Sequence, residues 1–115
     1  MVCSATISGC SDLAQFDVYL NPIGAMDNVP FVVDVQADHL DRLPARMVIP
    51  LGRPNDTLRP TRQLNPLLSV TGEPLVLITQ HAAAVPARVL GRKIASLADH
   101  RSDIIAALDF LFTGV

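Results

Sequence analysis

The sequence predicts a mostly β domain, an antiparallel sheet or small barrel with one C-terminal α-helix against its side. Three observations carry this. Short apolar runs bounded by Pro, Gly and Asn recur from residue 15 to residue 97. Two of them flank Thr71-Gly72-Glu73-Pro74 at hairpin spacing. One segment with helical spacing closes the chain. About six or seven strands and one helix favour a sheet packed on one side by that helix.

The elements follow in order. Residues 1–14 are small and polar without a sustained period and read as an N-terminal extension, flexible or not native to the domain. Residues 15–20, QFDVYL, alternate, with Phe16, Val18 and Leu20 on the inner side and Gln15, Asp17 and Tyr19 on the outer. Residues 21–28 hold Asn, Pro and Gly and form a loop. Residues 31–36, FVVDVQ, make a second strand and 46–51, RMVIPL, a third. Pro50 lacks a donor, so that strand should end there or lie at an edge. Residues 52–63, GRPNDTLRPTRQ, form a long polar loop, a length often tied to function. The hairpin arms are 64–70 and 75–79. Residues 80–85 are Ala-rich, and 86–90 and 94–97 add small strands. The helix starts near 99–102, where Asp99 and Ser102 are placed to cap free amides. Its apolar stripe is Ile104, Ile105, Leu108, Leu111 and Phe112, and Gly114 is suited to the position just past its end.

Composition narrows the function. At 115 residues the chain is one domain with a modest core. Half of it is hydrophobic and 17% is charged, which excludes a disordered charged tail as its main content. The net charge is −2, Lys93 is the only lysine, and the arginines are scattered. Binding a phosphate backbone wants a clustered positive field, so direct nucleic-acid binding is not expected. No stretch approaches eighteen apolar residues, so no membrane partner is expected. Cys3 and Cys10 are the only cysteines; a bridge between them would close a small loop and stabilise little, and their absence elsewhere suits an intracellular protein. Ile7-Ser8-Gly9-Cys10 lacks the basic start and longer apolar run of a lipoprotein cleavage box.

Catalytic chemistry is hard to assemble. His39, His81 and His100 are the only histidines; no pair has metal-ligand spacing, and no motif brings Ser or Cys to one. Each is expected at the surface or facing a partner. Asp34, Asp38 and Asp41 are too few for an acidic metal site. Asp34, inside an apolar strand, is expected to be structural and hydrogen-bonded. Asp99, Arg101 and Asp103 suit the helix dipole. Gly24 and Gly91 are isolated and make no phosphate cradle.

QFDVY at 15–19, FVVDVQAD at 31–38, RMVIPL at 46–51, VPARVLG at 85–91 and DIIAALDFLFTGV at 103–115 together resemble the CcdB family of bacterial toxins. The pieces keep the family's order and cover residues 15–115, a single toxin domain. The resemblance implies a homodimer with an SH3-like barrel, the fold shared with MazF/Kid toxins. It implies a cytoplasmic protein that is not an enzyme, needs no cofactor or metal, and binds the A subunit of DNA gyrase, trapping the enzyme on cleaved DNA. A CcdA-like antitoxin would neutralise it and supply the DNA contact through which the pair represses its own operon, plasmid-borne or chromosomal. By position, the gyrase-facing residues are Phe112, Thr113, Gly114, Val115 and Asp109, joined by Ala37, His39 and Leu40. The antitoxin-facing residues are Asn21, Ile23, Met26, Asn55, Leu58 and Arg59.

One departure stands out. The plasmid prototype ends in Trp-Gly-aliphatic, and this chain has Thr113 where that Trp stands and no tryptophan anywhere. An aromatic anchor is worth about 2 kcal/mol at an interface, so its loss corresponds to about 30-fold weaker binding. Phe112, His39 and Leu40 are placed to compensate. Two alternatives share the resemblance: an endoribonuclease of the MazF/Kid lineage, with Arg46, Arg88 and His81 as its candidate residues, and a non-toxic homologue that only binds antitoxin.

Overall fold

The computed structural model of the chain describes residues 14–22, 28–40 and 43–114, and for His39 the backbone alone. Cys3, Cys10, Ile23, Met26, Asp41 and Val115, like most of the proposed extension, lie outside the described residues. Among the described residues there are seven strands: β1 (Asp17–Leu20), β2 (Phe31–Asp34), β3 (Ala45–Gly52), β4 (Leu67–Val70), β5 (Glu73–Leu77), β6 (Ala83–Pro86) and β7 (Ala95–Ser96). One helix, α1 (Arg101–Thr113), follows them. All pairings are antiparallel, in the order β4-β5-β3-β2-β1-β7 with β6 also on β3, giving a mostly β, near-closed barrel-like sheet.

Both faces of the central strands are covered, and this corrects the predicted alternation of residues 15–20. Val18, Val33 and Ile49 are in register and lie in the main core with Leu51, Leu77 and Ile104. Their neighbours Tyr19, Val32 and Val48 point to the opposite face, where Val85 and Leu90 cover them. Tyr19 and Asp17 are therefore buried, not outward, while Leu20, at the strand's end, is 64% exposed. β1 begins at Asp17 because Phe16 has a left-handed φ of 72°. Its amide donates to the carbonyl of Asp34, its carbonyl accepts from the Leu97 amide at 2.7 Å, and the Arg101 guanidinium lies 5.8 Å over its ring.

Pro50 also departs from expectation. It is internal to β3, whose one edge pairs β2 while the other pairs β6 over Ala45–Val48 and β5 over Leu51–Gly52. The Pro50 carbonyl accepts from the Ile78 amide at 2.9 Å on that second edge. A strand residue's N and O point the same way, so the missing donor falls where the partner changes.

The hairpin forms with a tighter turn than predicted. Thr71 and Gly72 have φ of 51° and 85°, the two positive values of a two-residue turn matched to strand twist, and Glu73 and Pro74 belong to β5. Residues 86–90 hold a 3-10 turn, Ala87–Val89, in place of the expected strand. The helix has no side-chain cap from Asp99 or Ser102. A 3-10 turn, Ala98–His100, leads into it, and Ser96 Oγ accepts from the Ala98 amide at 3.2 Å, so the capping group lies upstream.

Candidate functional site

The end of α1 is built by a helix that outruns its sheet. Ile104, Leu108 and Phe112 follow one another at i, i+4, i+8 on one stripe. Ile104 is fully buried, Leu108 is half-buried and Phe112 is 78% exposed. The core beneath the stripe ends before the helix does. Phe112, though part of the apolar stripe, thus lies off the core. The tip is nonetheless ordered by local bonds. Gly114 takes the left-handed φ of 76° and its amide donates to the Phe110 carbonyl at 2.8 Å. Thr113 Oγ1 donates to the Asp109 carbonyl at 2.6 Å. Asp109, Phe112, Thr113 and Gly114 are all exposed.

The second part of the expected gyrase surface sits in the 3-10 turn Asp38–Leu40 and the residue before it. Ala37 is half-buried and Leu40 exposed; His39 lies in the turn by its backbone. The Leu40 carbonyl accepts from Gln36 Nε2 at 2.8 Å, and Asp38 Oδ1 accepts from the Gln15 amide at 2.7 Å. Gln15 adjoins Phe16, which lies under Arg101 at the start of α1. The turn is therefore tied to the beginning of the helix, and the tip is at its other end, about 18 Å of rise away. Within one chain these contacts do not gather the two parts into one patch.

The two loops expected to face the antitoxin do meet. The Arg53 amide donates to the Asn28 carbonyl at 2.6 Å. Gly52 lies at the crossing, where a Cβ would stand 2.5 Å from Leu58 Cδ2, 3.1 Å from Ile78 Cδ1 and 3.2 Å from the Asn28 oxygen. Asn55 organises the longer loop: its Oδ1 accepts from the Thr57 amide and hydroxyl and from the Leu58 amide, each at 2.8 Å. Asn21 Nδ2 donates to the Val29 carbonyl at 2.9 Å and closes the base of the first loop. Asn55 and Arg59 are exposed, and Leu58 is half-buried.

Beside these loops is a feature that the sequence reading missed. Asn21, Pro22, Val29, Val32, Val48, Pro50, Ile78, His81, Ala83 and Val85 line an apolar cavity of about 320 Å³ on the second face of the sheet. The signal for it was the unbroken apolar character of FVV and MVIPL, which marks strands buried on both faces. From β6 only Ala83 and Val85 reach the cavity, and the small Ala83 side chain leaves that face incompletely filled.

A buried polar group occupies the same face. Asp34 and Arg46 are both 0% exposed, with Arg46 Nε 2.8 Å and Nη2 2.7 Å from Asp34 Oδ2. Asp34 Oδ1 accepts from the Gln36 amide at 3.0 Å. Burial pushes the Asp34 carboxyl above its ordinary pKa, and the Arg46 guanidinium and the Gln36 amide pull it back. Burial, then the Asp17 and Asp34 carboxylates, push the Tyr19 hydroxyl far above its ordinary value. The structural role expected of Asp34 is what the geometry shows. Arg46, a candidate for RNA contact, is sealed in this pair and reaches no surface. His81 and Arg88 are exposed but stand beyond opposite ends of β6. No nuclease constellation of these three is assembled. Among the described residues no group of His, Cys, Asp or Glu could hold a metal, and no helix is long and apolar enough to cross a membrane.

The architecture is a near-closed antiparallel sheet carrying one C-terminal helix, with an exposed helix end and, among the described residues, a separate pair of loops that meet at Gly52. The family model described as CcdB protein matches residues 15–114. The chain belongs to the CcdB family, toxins of toxin–antitoxin systems.

Proposed function

We propose that this chain poisons DNA gyrase by seating the exposed end of α1 on the enzyme's A subunit, and that a CcdA-like antitoxin neutralises it across the interlocked loops at 21–28 and 52–59. The observation that carries the reading is the fall in burial from Ile104 through Leu108 to Phe112. A single domain gains nothing from projecting a large aromatic into water, whereas a docking surface does. The tip and the turn at 37–40 lie at opposite ends of the helix, so a homodimer is the arrangement that brings one copy's tip near another's turn. Leu40, Leu43 and Met47 are exposed apolar side chains available to such a seam. The dimer works in the cytoplasm and meets DNA through gyrase or through the antitoxin.

The test is a gyrase cleavage assay with purified toxin, relaxed plasmid and ATP. Linear plasmid should accumulate with the full chain and not after deletion of Gly114 and Val115. Undiminished cleavage by the truncated chain would refute the docking role of the tip. RNA degradation in place of plasmid linearisation would move the protein to the nuclease reading.

A further inference from the structure

The ladder between β2 and β3 opens just past its last rung. The register that sets Asp34 against Val48 places Val35 opposite Met47. The Val35 amide donates to the Met47 carbonyl at 2.9 Å. A hydrogen-bonded antiparallel pair exchanges two such bonds, but here the second is missing and its two groups turn to side chains. The Met47 amide donates to Gln36 Oε1 at 3.1 Å, and the Val35 carbonyl accepts from Gln15 Nε2 at 3.2 Å. Two glutamine carboxamides thus satisfy the backbone groups that the open rung releases. The other half of the Gln36 carboxamide holds the turn. Its Nε2 donates to the Leu40 carbonyl at 2.8 Å, and the same carbonyl accepts from the Leu43 amide at 3.2 Å. One half-buried side chain therefore ties the backbone of Leu40, and through it that of Leu43, to Met47 on β3. All three are exposed apolar residues. The Gln36 amide in turn donates to Asp34 Oδ1 at 3.0 Å, which anchors this hub to the buried ion pair.

We infer that Gln36 is a positioning residue, which holds Leu40, Leu43 and Met47 in the arrangement that a second copy of this chain covers. The inference rests on the reading that these side chains form a dimer seam. The turn is short, and inside it the Leu40 amide bonds to the Ala37 carbonyl at 2.9 Å. Asp38 Oδ1 fastens one side of it to the Gln15 amide. Gln36 supplies the tie to β3, and with it the spacing between the turn and Met47. Without that tie the three side chains must be ordered as the seam forms, and such ordering subtracts from affinity. The core is left alone, because the bonds of the Gln36 carboxamide go to the backbone of exposed residues.

The experiment is sedimentation equilibrium of the full chain, with NMR of the ¹⁵N-labelled protein as the control on fold. Gln36→Met keeps the length of the side chain and loses both bonds. Gln36→Glu keeps the shape and the acceptor for the Met47 amide, but sets a carboxylate against the Leu40 carbonyl. Each should raise the dimer dissociation constant about tenfold, with the core amides of Val33 and Ile49 unshifted. Hydrogen exchange of the Met47 amide should quicken in Gln36→Met and stay near wild type in Gln36→Glu. A role in filling space alone would leave Gln36→Glu at wild-type affinity, and that result would overturn the inference. So would a dissociation constant unmoved by Gln36→Met, or core amides that shift in both variants. The pair Leu43→Lys and Met47→Lys tests the seam itself. If the pair breaks the dimer and the Gln36 variants do not, the inference falls and the seam reading survives. If the pair leaves the dimer intact, or the wild type is a monomer, the seam reading falls and takes the inference with it.

Discussion

Replacing Arg46 by Met isolates the buried charge of Asp34. In the native chain the partners of Asp34 Oδ2 among the described residues are the guanidinium nitrogens at 2.8 and 2.7 Å, and Oδ1 has the Gln36 amide. Arg46→Met keeps a long apolar stem and leaves Oδ2 without a partner in a site with no exposure. Stripping one member from a buried pair costs about 3–5 kcal/mol. The carboxyl has one escape, which is to take a proton. From an ordinary value of 3.8, holding that proton costs about 4 kcal/mol at pH 7 and about 1.6 kcal/mol at pH 5, at 1.36 kcal/mol per unit. The variant's Asp34 then has a folded pKa above its unfolded one. Its stability is greatest below the unfolded value and is lost as pH rises toward the folded value. Urea denaturation followed by circular dichroism should show a loss of about 3–4 kcal/mol at pH 7, with about 2 kcal/mol recovered at pH 5. The double variant Asp34→Leu, Arg46→Met should lie within about 2 kcal/mol of wild type, since neither charge remains. A loss below about 1 kcal/mol for Arg46→Met, or one equal at both pH values, would refute the reasoning.

Tyr19 is the only tyrosine, and there is no tryptophan, so the absorbance at 295 nm reports one hydroxyl. Its raised pKa predicts that no phenolate forms through the ordinary range near 10 while the fold persists; ionisation should coincide with alkaline unfolding seen by circular dichroism. Gly52→Ala puts a methyl group against Leu58 Cδ2, which can swing aside, and against the Asn28 carbonyl oxygen, which is backbone. Urea midpoints should report a cost of about 1–2 kcal/mol. Phe112→Ala removes an exposed ring, so thermal unfolding should change by less than about 0.5 kcal/mol while gyrase cleavage drops; a large loss of stability would mean that the ring is packed.

What the sequence made legible follows from which interactions are local. The hairpin turn, the helix and its glycine end are set by neighbours a few residues apart, and residues 67–77 and 101–114 match their expected types closely. The burial of Asp34 was readable because an acid inside FVVDV needs a partner. The partner's identity was not readable, because Arg46 reaches it only through the pairing of β2 with β3. Tyr19 misled for the same reason. Alternation assumes one wet face, and only the tertiary cover from Val85 and Leu90 dries the second. Pro50 looked like a strand end because a linear reading cannot show that β3 exchanges β6 for β5 at that point. The cavity depends on what β6 fails to fill, which no residue states by itself.

The two proposed surfaces differ in how tightly they are bound to stability. The last turn of α1 touches little of the core, and its order comes from the Gly114 cap, beside which Thr113 bonds back to Asp109. A side-chain hydroxyl bonded back to the i−4 carbonyl adds nothing essential to a helix. Position 113 is therefore free to exchange an aromatic for Thr without consequence for the fold. The interlocked loops have no such freedom, because Gly52, Asn28, Leu58 and Asn65 join them to β3, β5 and the margin of the cavity. Changes at the tip should act on target affinity alone, and changes at the loops on affinity and stability together. On the proposed reading, the chain can thus alter its potency against gyrase while its fold and the surface proposed for the antitoxin stay constrained.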